Sequence, residues 1–319
     1  MSETRHPRPR RRRPLRTAVG FLVLLAVIGY FAVQRDSNGG AGAPYCTATG
    51  GADSRQKYEM TPEQAANAAT IAAVGIAKGL PERAVTIALA TAMQESSLRN
   101  LDHGDRDSLG LFQQRPSQGW GTPEQITDPV YSAGIFYDHL VDVPGYSRLP
   151  LTVAAQKVQR SGYPQAYAKH EPDATVLTSA FGGGGVLFCS GPAPLRGDPE
   201  EVRAELVRAF GKQALGAPAG SPGGAPDGTT GRAGVPEPEI NLRLERDGGP
   251  DEARRGRAMA HWAVARSHEL GIARVSYGDG GWTGGRARGK WQPKGGAGTS
   301  GAGDAHDAAD GEVRIFVAR

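Results

Sequence analysis

Beyond its first 16 residues the chain has no surplus of positive charge. Residues 1–16 hold seven Arg and one Glu, so the remainder sums to −2 although the whole chain is +4. No basic surface is left there to neutralise phosphates, so nucleic acid is not an expected partner. Long apolar runs are scarce too: an uncharged stretch covers residues 17–33 (TAVGFLVLLAVIGYFAV). One span cannot by itself line a transport pathway, which argues against a channel or transporter. Cysteine is limited to Cys46 and Cys189, and no internal repeat recurs at a fixed period. What is abundant is Gly (46) and Pro (23), about a fifth of the residues together. That is too little for a collagen and points to folded domains joined by loose segments.

The charge asymmetry and the apolar run imply a basic cytoplasmic tail (1–16), a transmembrane anchor (17–34) and a stalk (35–45). Seventeen helical residues reach about 25 Å, near the lower limit for a span. The positive-inside bias places the C-terminal domains outside the cytoplasm, on a single-pass membrane protein. A cleaved signal peptide ending at Ala41-Gly42-Ala43 is the alternative. In an oxidising compartment, Cys46 and Cys189 invite pairing across the stretch they bracket; two free thiols are the other reading.

From 46 to 189 the chain reads as helical. Thr61-Pro62-Glu63-Gln64 offers an N-cap and a proline in the first turn. Pro81 opens a second helix whose apolar residues Val85, Ala88, Leu89, Ala92 and Met93 recur at helical spacing. Further helices are expected at about 129–140, 151–160 and 164–170. Residues 190–236 hold a short amphipathic helix (198–210) and a Gly/Pro-rich linker. The last segment, 237–319, reads as a helix at 251–270, a strand at 272–277, a Gly-rich loop with Trp282 and Trp291, and a strand at 313–317. The expected fold class is therefore a transmembrane helix, a mainly α domain and a small α+β domain after a linker.

Chemistry concentrates in residues 88–121. Glu95 falls near a helix end, at the border of the buried face, three and seven residues past Ala92 and Ala88. Partial desolvation there raises a carboxyl pKa, as a general acid near neutral pH requires. A surface Glu paired with Arg99 at i+4 is the plainer reading of that residue alone. Asp102, Asp105 and Asp107 crowd the next loop, where like charge would raise Glu95 further; turn formation is their alternative role.

Glu95-Ser96, then Gly104-Asp105-Arg106, then Gly110-Leu111-Phe112-Gln113 occur in that order. This series resembles the lysozyme-like superfamily of goose-type lysozymes and soluble lytic transglycosylases, over roughly residues 60–180. The resemblance implies a lysozyme-like domain at 46–189 that cleaves the glycan strand of peptidoglycan without a cofactor or metal. It makes Glu95 the general acid, Asp105 the residue that holds a water, and Gln113 a residue lining the sugar groove. Ser96 and Trp120 are expected to contact substrate, Trp120 by stacking on a sugar face or else as a core or lid residue. Where the family has Ala-Tyr-Asn-Ala-Gly, this chain has Ala154-Ala155-Gln156-Lys157-Val158; Tyr163 or Tyr167 is the candidate substitute for the missing tyrosine.

The C-terminal segment loosely resembles the D,D-peptidase-like modules of some actinobacterial wall enzymes. It lacks their His-x-His strand, reading Glu312-Val313-Arg314-Ile315 instead, so a degenerate, metal-free module is expected. His306 with Asp304 and Asp307 is its nearest polar cluster, and His261 and His268 read as surface or interface residues. Competing with the enzyme are a non-catalytic wall-binding or scaffold protein and, third, a partner-binding subunit of a larger complex.

Overall fold

The computed structural model describes residues 43–51, 55–160, 164–194, 196–212, 238–243, 250–278, 280–285, 291–293 and 312–319. Tyr45–Thr49 (β1) and Lys57–Met60 (β2) lead into helices Pro62–Ala77 (α1) and Glu82–Ser96 (α2). Pro123–Ile126 (α3), Pro129–Val141 (α4), Leu151–Gln159 (α5), a 3₁₀ turn at Pro164–His170 and Glu171–Gly182 (α6) follow. Val186–Ser190 (β3) closes this half. The remainder holds Pro199–Phe210 (α7), Glu239–Arg243 (β4), Pro250–Ala265 (α8), Ser267–Leu270 (α9), Ile272–Tyr277 (β5), Gly280–Thr283 (β6), Gln292–Pro293 (β7) and Glu312–Val317 (β8).

Local sequence accounts for the helix starts. Thr61 caps α1 and forms a reciprocal capping box with Gln64, with Pro62 in the first turn. Thr122 and Gln125 repeat the device at α3, and Asp128 caps α4 with Pro129 at its first position. In α1 every residue from Ala65 to Ile76 is buried, and in α2 every residue from Ala84 to Met93. These two alanine-rich helices form the centre of the molecule, with α2 packed on α6, the 3₁₀ turn, α4 and α5.

Several expectations are corrected. The expected transmembrane helix over 17–34 lies outside the described residues, and among the described residues no helix is long and apolar enough to cross a membrane. The first half is not purely helical: an antiparallel sheet in the order β2-β1-β3 joins its two ends. Helix α6, Glu171–Gly182, was unexpected. Nor does the C-terminal segment stand apart: residues 44–319 form one compact unit. Its five-stranded antiparallel sheet, β4-β8-β5-β6-β7, packs on α8, which also packs on α1, α6 and β3. Ala258 to Ala265 of α8 are all buried, with Trp262 wholly so. Residues 44–319 are thus one α+β body. The linker at 213–237 and the cluster around His306 lie outside the described residues.

His261, expected at the surface, is buried; its Nδ1 is 2.6 Å from the Ala180 carbonyl. Burial pushes its pKa down to about 4, so the ring is neutral. The indole nitrogens of Trp282 and Trp291 donate to the carbonyls of Cys189 (3.0 Å) and Leu187 (2.8 Å) on the open edge of β3. An edge strand is thereby covered by two side chains rather than by a further strand.

Cys46 and Cys189 are bridged, and they face each other in the β1–β3 register. With a sequence separation of 143, the bridge removes about 5 kcal/mol of denatured-state freedom in the chain-entropy model. Replacing both with Ser should lower unfolding free energy by about 2–5 kcal/mol, measured by urea denaturation in one transition. Alkylation of the denatured, unreduced chain should label neither cysteine.

Candidate active site

Glu95 is the penultimate residue of α2. The chain then leaves the helix through two left-handed residues, Ser97 (φ 54°) and Leu98 (φ 60°). That conformation costs a non-glycine residue about 1–2 kcal/mol, and persists only where the surroundings over-determine it. Helix α1 supplies the restraint: Gln64 Nε2 donates to the Ser97 carbonyl and Asn67 Nδ2 to the Leu98 carbonyl, each at 2.8 Å. Asn67 and Leu98 are buried. The end of α2 is therefore a fixed platform.

The loop after it is tied to the same platform. The buried Ser96 hydroxyl lies 2.8 Å from the Leu111 carbonyl and 3.1 Å from that of Ala92. Ser96 does not line the groove described below, so its expected contact with substrate is replaced by a loop-holding role. Gly110 is left-handed (φ 74°), and a Cβ there would come within 2.4 Å of the Ile126 carbonyl. A Cβ at Gly104 would overlap the Gln113 side chain and press on the Ser108 carbonyl. Asp107 accepts from Arg115 Nε (2.6 Å) and the Ser117 amide (2.9 Å), and these bonds hold its carboxyl well below the usual range.

These elements enclose a groove of about 800 Å³. Glu95 lies in it; Asp105, Arg106, Gln113 and Trp120 come from the loop, and Lys157, Gln159 and Arg160 from the end of α5. Trp120 packs against His139, ring centroids 4.4 Å apart, on the groove wall. Among the described residues, the non-glycine residues at positive φ are Ser97, Leu98, Arg106, Gln113 and Arg160. Three of them line the groove and the other two follow Glu95 closely. Such strain costs about 1–3 kcal/mol per residue and clusters at functional sites in proteins generally, which makes the groove the candidate.

No protein-family model matches the chain, and no curated protein matches it. The case for the groove therefore stands on its chemistry.

Tyr167, expected to contact substrate, is fully buried in the 3₁₀ turn and donates its hydroxyl to Glu95 Oε1 at 2.6 Å. It touches the acid, not the groove. Gln159, missed in the sequence, hydrogen-bonds Glu95 and donates Nε2 to the Phe112 carbonyl at 2.7 Å. Burial pushes the Glu95 carboxyl above the ordinary carboxylate range, while the bonds from Tyr167 and Gln159 pull it back. Like charge from the aspartates, the cause expected from sequence, plays no part: Asp102 pairs with His103, Asp107 with Arg115. Asp105 is 94% exposed, with Arg106 at 4.0 Å. Gln113 lines the groove, with Nε2 near the carbonyls of Gly110 and His103. Asp142, also missed, lines the groove at the end of α4. Tyr163 lies outside the described residues.

Among the described residues no three His, Cys, Asp or Glu side chains are grouped to hold a metal. A half-buried carboxyl with a raised pKa, opening on a polar groove, can donate a proton to a bound leaving group.

Because the folded pKa of Glu95 is raised, the fold favours its neutral form more than the unfolded chain does. The stability this lends is complete below the unfolded pKa and lost as pH rises through the folded one. Glu95→Gln removes the loss while keeping an acceptor for Tyr167. Thermal unfolding of Glu95→Gln should therefore match the parent near pH 4 and exceed it at pH 7. An equal difference at both pH values would show that burial of the charge is not the cause.

Proposed function

We propose that the chain is an extracytoplasmic enzyme that cuts the glycan strand of peptidoglycan, with Glu95 as general acid. The observation that carries this reading is the half-buried Glu95 carboxyl, held by fully buried Tyr167 on a strained helix exit that opens into the groove. Breaking a glycosidic bond needs a proton at the leaving oxygen and negative charge near an oxocarbenium-like centre. Glu95 supplies the proton. Once ionised it supplies the charge, with the Tyr167 and Gln159 bonds stabilising that form. Asp105 and Asp142 are the other groove carboxylates, and Asp105 is the candidate to hold an attacking water. Trp120 offers a ring face to a sugar, and Gln113 lines the groove beside it. The Cys46–Cys189 bridge supports an oxidising compartment outside the cytoplasm.

A groove that binds without turnover is the second reading. It is favoured by the same two hydrogen bonds into Glu95, which hold the ionised form and so oppose proton donation.

The test is incubation of purified peptidoglycan with the parent and Glu95→Gln, followed by mass spectrometry of soluble fragments. Loss of the acid should cut release by about 10²–10⁴-fold. Reducing ends mean hydrolysis and 1,6-anhydro ends mean transglycosylation; Asp105→Asn should slow only the former. Tyr167→Phe removes a bond that favours the ionised acid, so the alkaline limb of the pH–rate profile should move upward. Equal background release by parent and Glu95→Gln, with binding retained, would give the site to the second reading.

A further inference from the structure

The outer face of the β2-β1-β3 sheet carries more apolar surface than the fold requires. Strand alternation sends Cys46, Ala48, Leu187 and Cys189 into the core. The other face presents Tyr45, Val186 and Phe188, with Tyr45 40% and Val186 37% exposed. Among the described residues only two other large apolar side chains, Val141 and Val153, are comparably exposed, so two of the four lie on one short sheet. With Trp291 at the β3 edge, these residues line a hollow of about 540 Å³, within the range of small-ligand sites. It shares no lining residue with the Glu95 groove.

The hollow is built to stay in shape. The disulfide ties β1 to β3 directly beneath it, and the Trp291 indole is fixed by its bond to the Leu187 carbonyl. Thr49 likewise donates to the Val186 carbonyl. A preformed surface saves a ligand the cost of ordering it.

We propose that this face is a second carbohydrate site, taking an uncharged pyranose chain. Tyr45, Phe188 and Trp291 supply aromatic surface, and a pyranose offers a flat C–H face to such rings. Its hydroxyl rim needs polar partners, and the hollow interleaves Thr47, Thr49, Lys57 and Glu59 with the rings. Lys57 and Glu59 lie 3.7 Å apart and cancel each other's charge, which matches a neutral ligand. An acyl chain would desolvate that ion pair without replacing its hydrogen bonds. The assignment does not rest on cleavage at Glu95.

The experiment uses the full chain carrying Glu95→Gln, titrated calorimetrically with the tetramer of N-acetylglucosamine. Tyr45→Ala and Val186→Lys change side chains that are 40% and 37% exposed, and a melting curve of each variant confirms that binding is read from folded protein. On the proposal each weakens one binding event by tenfold or more, while Trp120→Ala does not affect that event. Binding that responds only to Trp120→Ala, or no change with either sheet variant, overturns it. Sedimentation of the same variants reads the remaining occupant. Self-association that Val186→Lys abolishes would assign the face to a second copy of the chain and also overturn the proposal.

Discussion

Helix α2 has no solvent-facing side between Ala84 and Met93, and an apolar cylinder must be enclosed on every side. Its two internal polar residues are neutralised locally: Thr86 and Thr91 return their hydroxyls to the carbonyls of Glu82 and Ile87. Helices α1, α4, α5, α6 and the 3₁₀ turn supply the enclosure. That demand fixes where a reactive group can stand. A carboxylate in the middle of α2 would be buried without recourse to water, whereas one at the last turn is half-desolvated and still reaches the groove. Glu95 occupies that turn. The same enclosure brings Tyr167 against it from 72 residues away.

The second half of the chain completes the enclosure rather than adding a separate module. Helix α8 lays Trp262 and its neighbours between α1, α6 and the five-stranded sheet, and His261 gives up its charge to enter that layer. Arg266 and Arg208 extend the junction as a charged seam through Glu205 (3.0 and 2.7 Å), Arg208 also reaching Asp128 at the start of α4 (2.6 Å). Arg266 is only 10% exposed and Glu205 18%, so this seam is more shielded from salt than an open surface pair. Each member keeps a second partner if one is removed: Arg266 also pairs with Glu269 (3.1 Å) and Arg208 with Asp128.

Much of this was legible because its causes are local. Thr61 with Gln64, Pro81, Pro129 and the 198–210 periodicity mark helix ends within a few residues. Cys46 and Cys189 bracket the first half, and Glu95 falls where the buried face of α2 runs out. The features that were not legible depend on distant partners. β1, β2 and β3 are five, four and five residues long, and β1 finds β3 across more than 130 residues. Such segments carry too few residues for alternation to stand out from a helical background. Helix α6, which follows the expected 164–170 segment directly, carries Pro172 in its first turn, where a proline costs no hydrogen bond. His261 and Trp291 gain their roles only when the two halves meet.

The electrostatics of the site follow from the same geometry. Three aspartates close in sequence suggested a like-charge mechanism, but the loop that carries them spends Asp107 on its own shape and leaves Asp102 and Asp105 in water. In water their fields are weakened by the high dielectric and screened over about 8–10 Å at ordinary ionic strength. What acts on Glu95 is nearer: the desolvating end of α2, two hydrogen bonds, and the negative end of the helix macrodipole, which also disfavours a carboxylate. Burial and dipole raise the proton affinity of Glu95, and the Tyr167 and Gln159 bonds lower it again. A ligand that displaces groove water or carries charge past Glu95 would shift that balance. The groove and the carboxyl are therefore one electrostatic unit, and the left-handed exit through Ser97 and Leu98 keeps them in register.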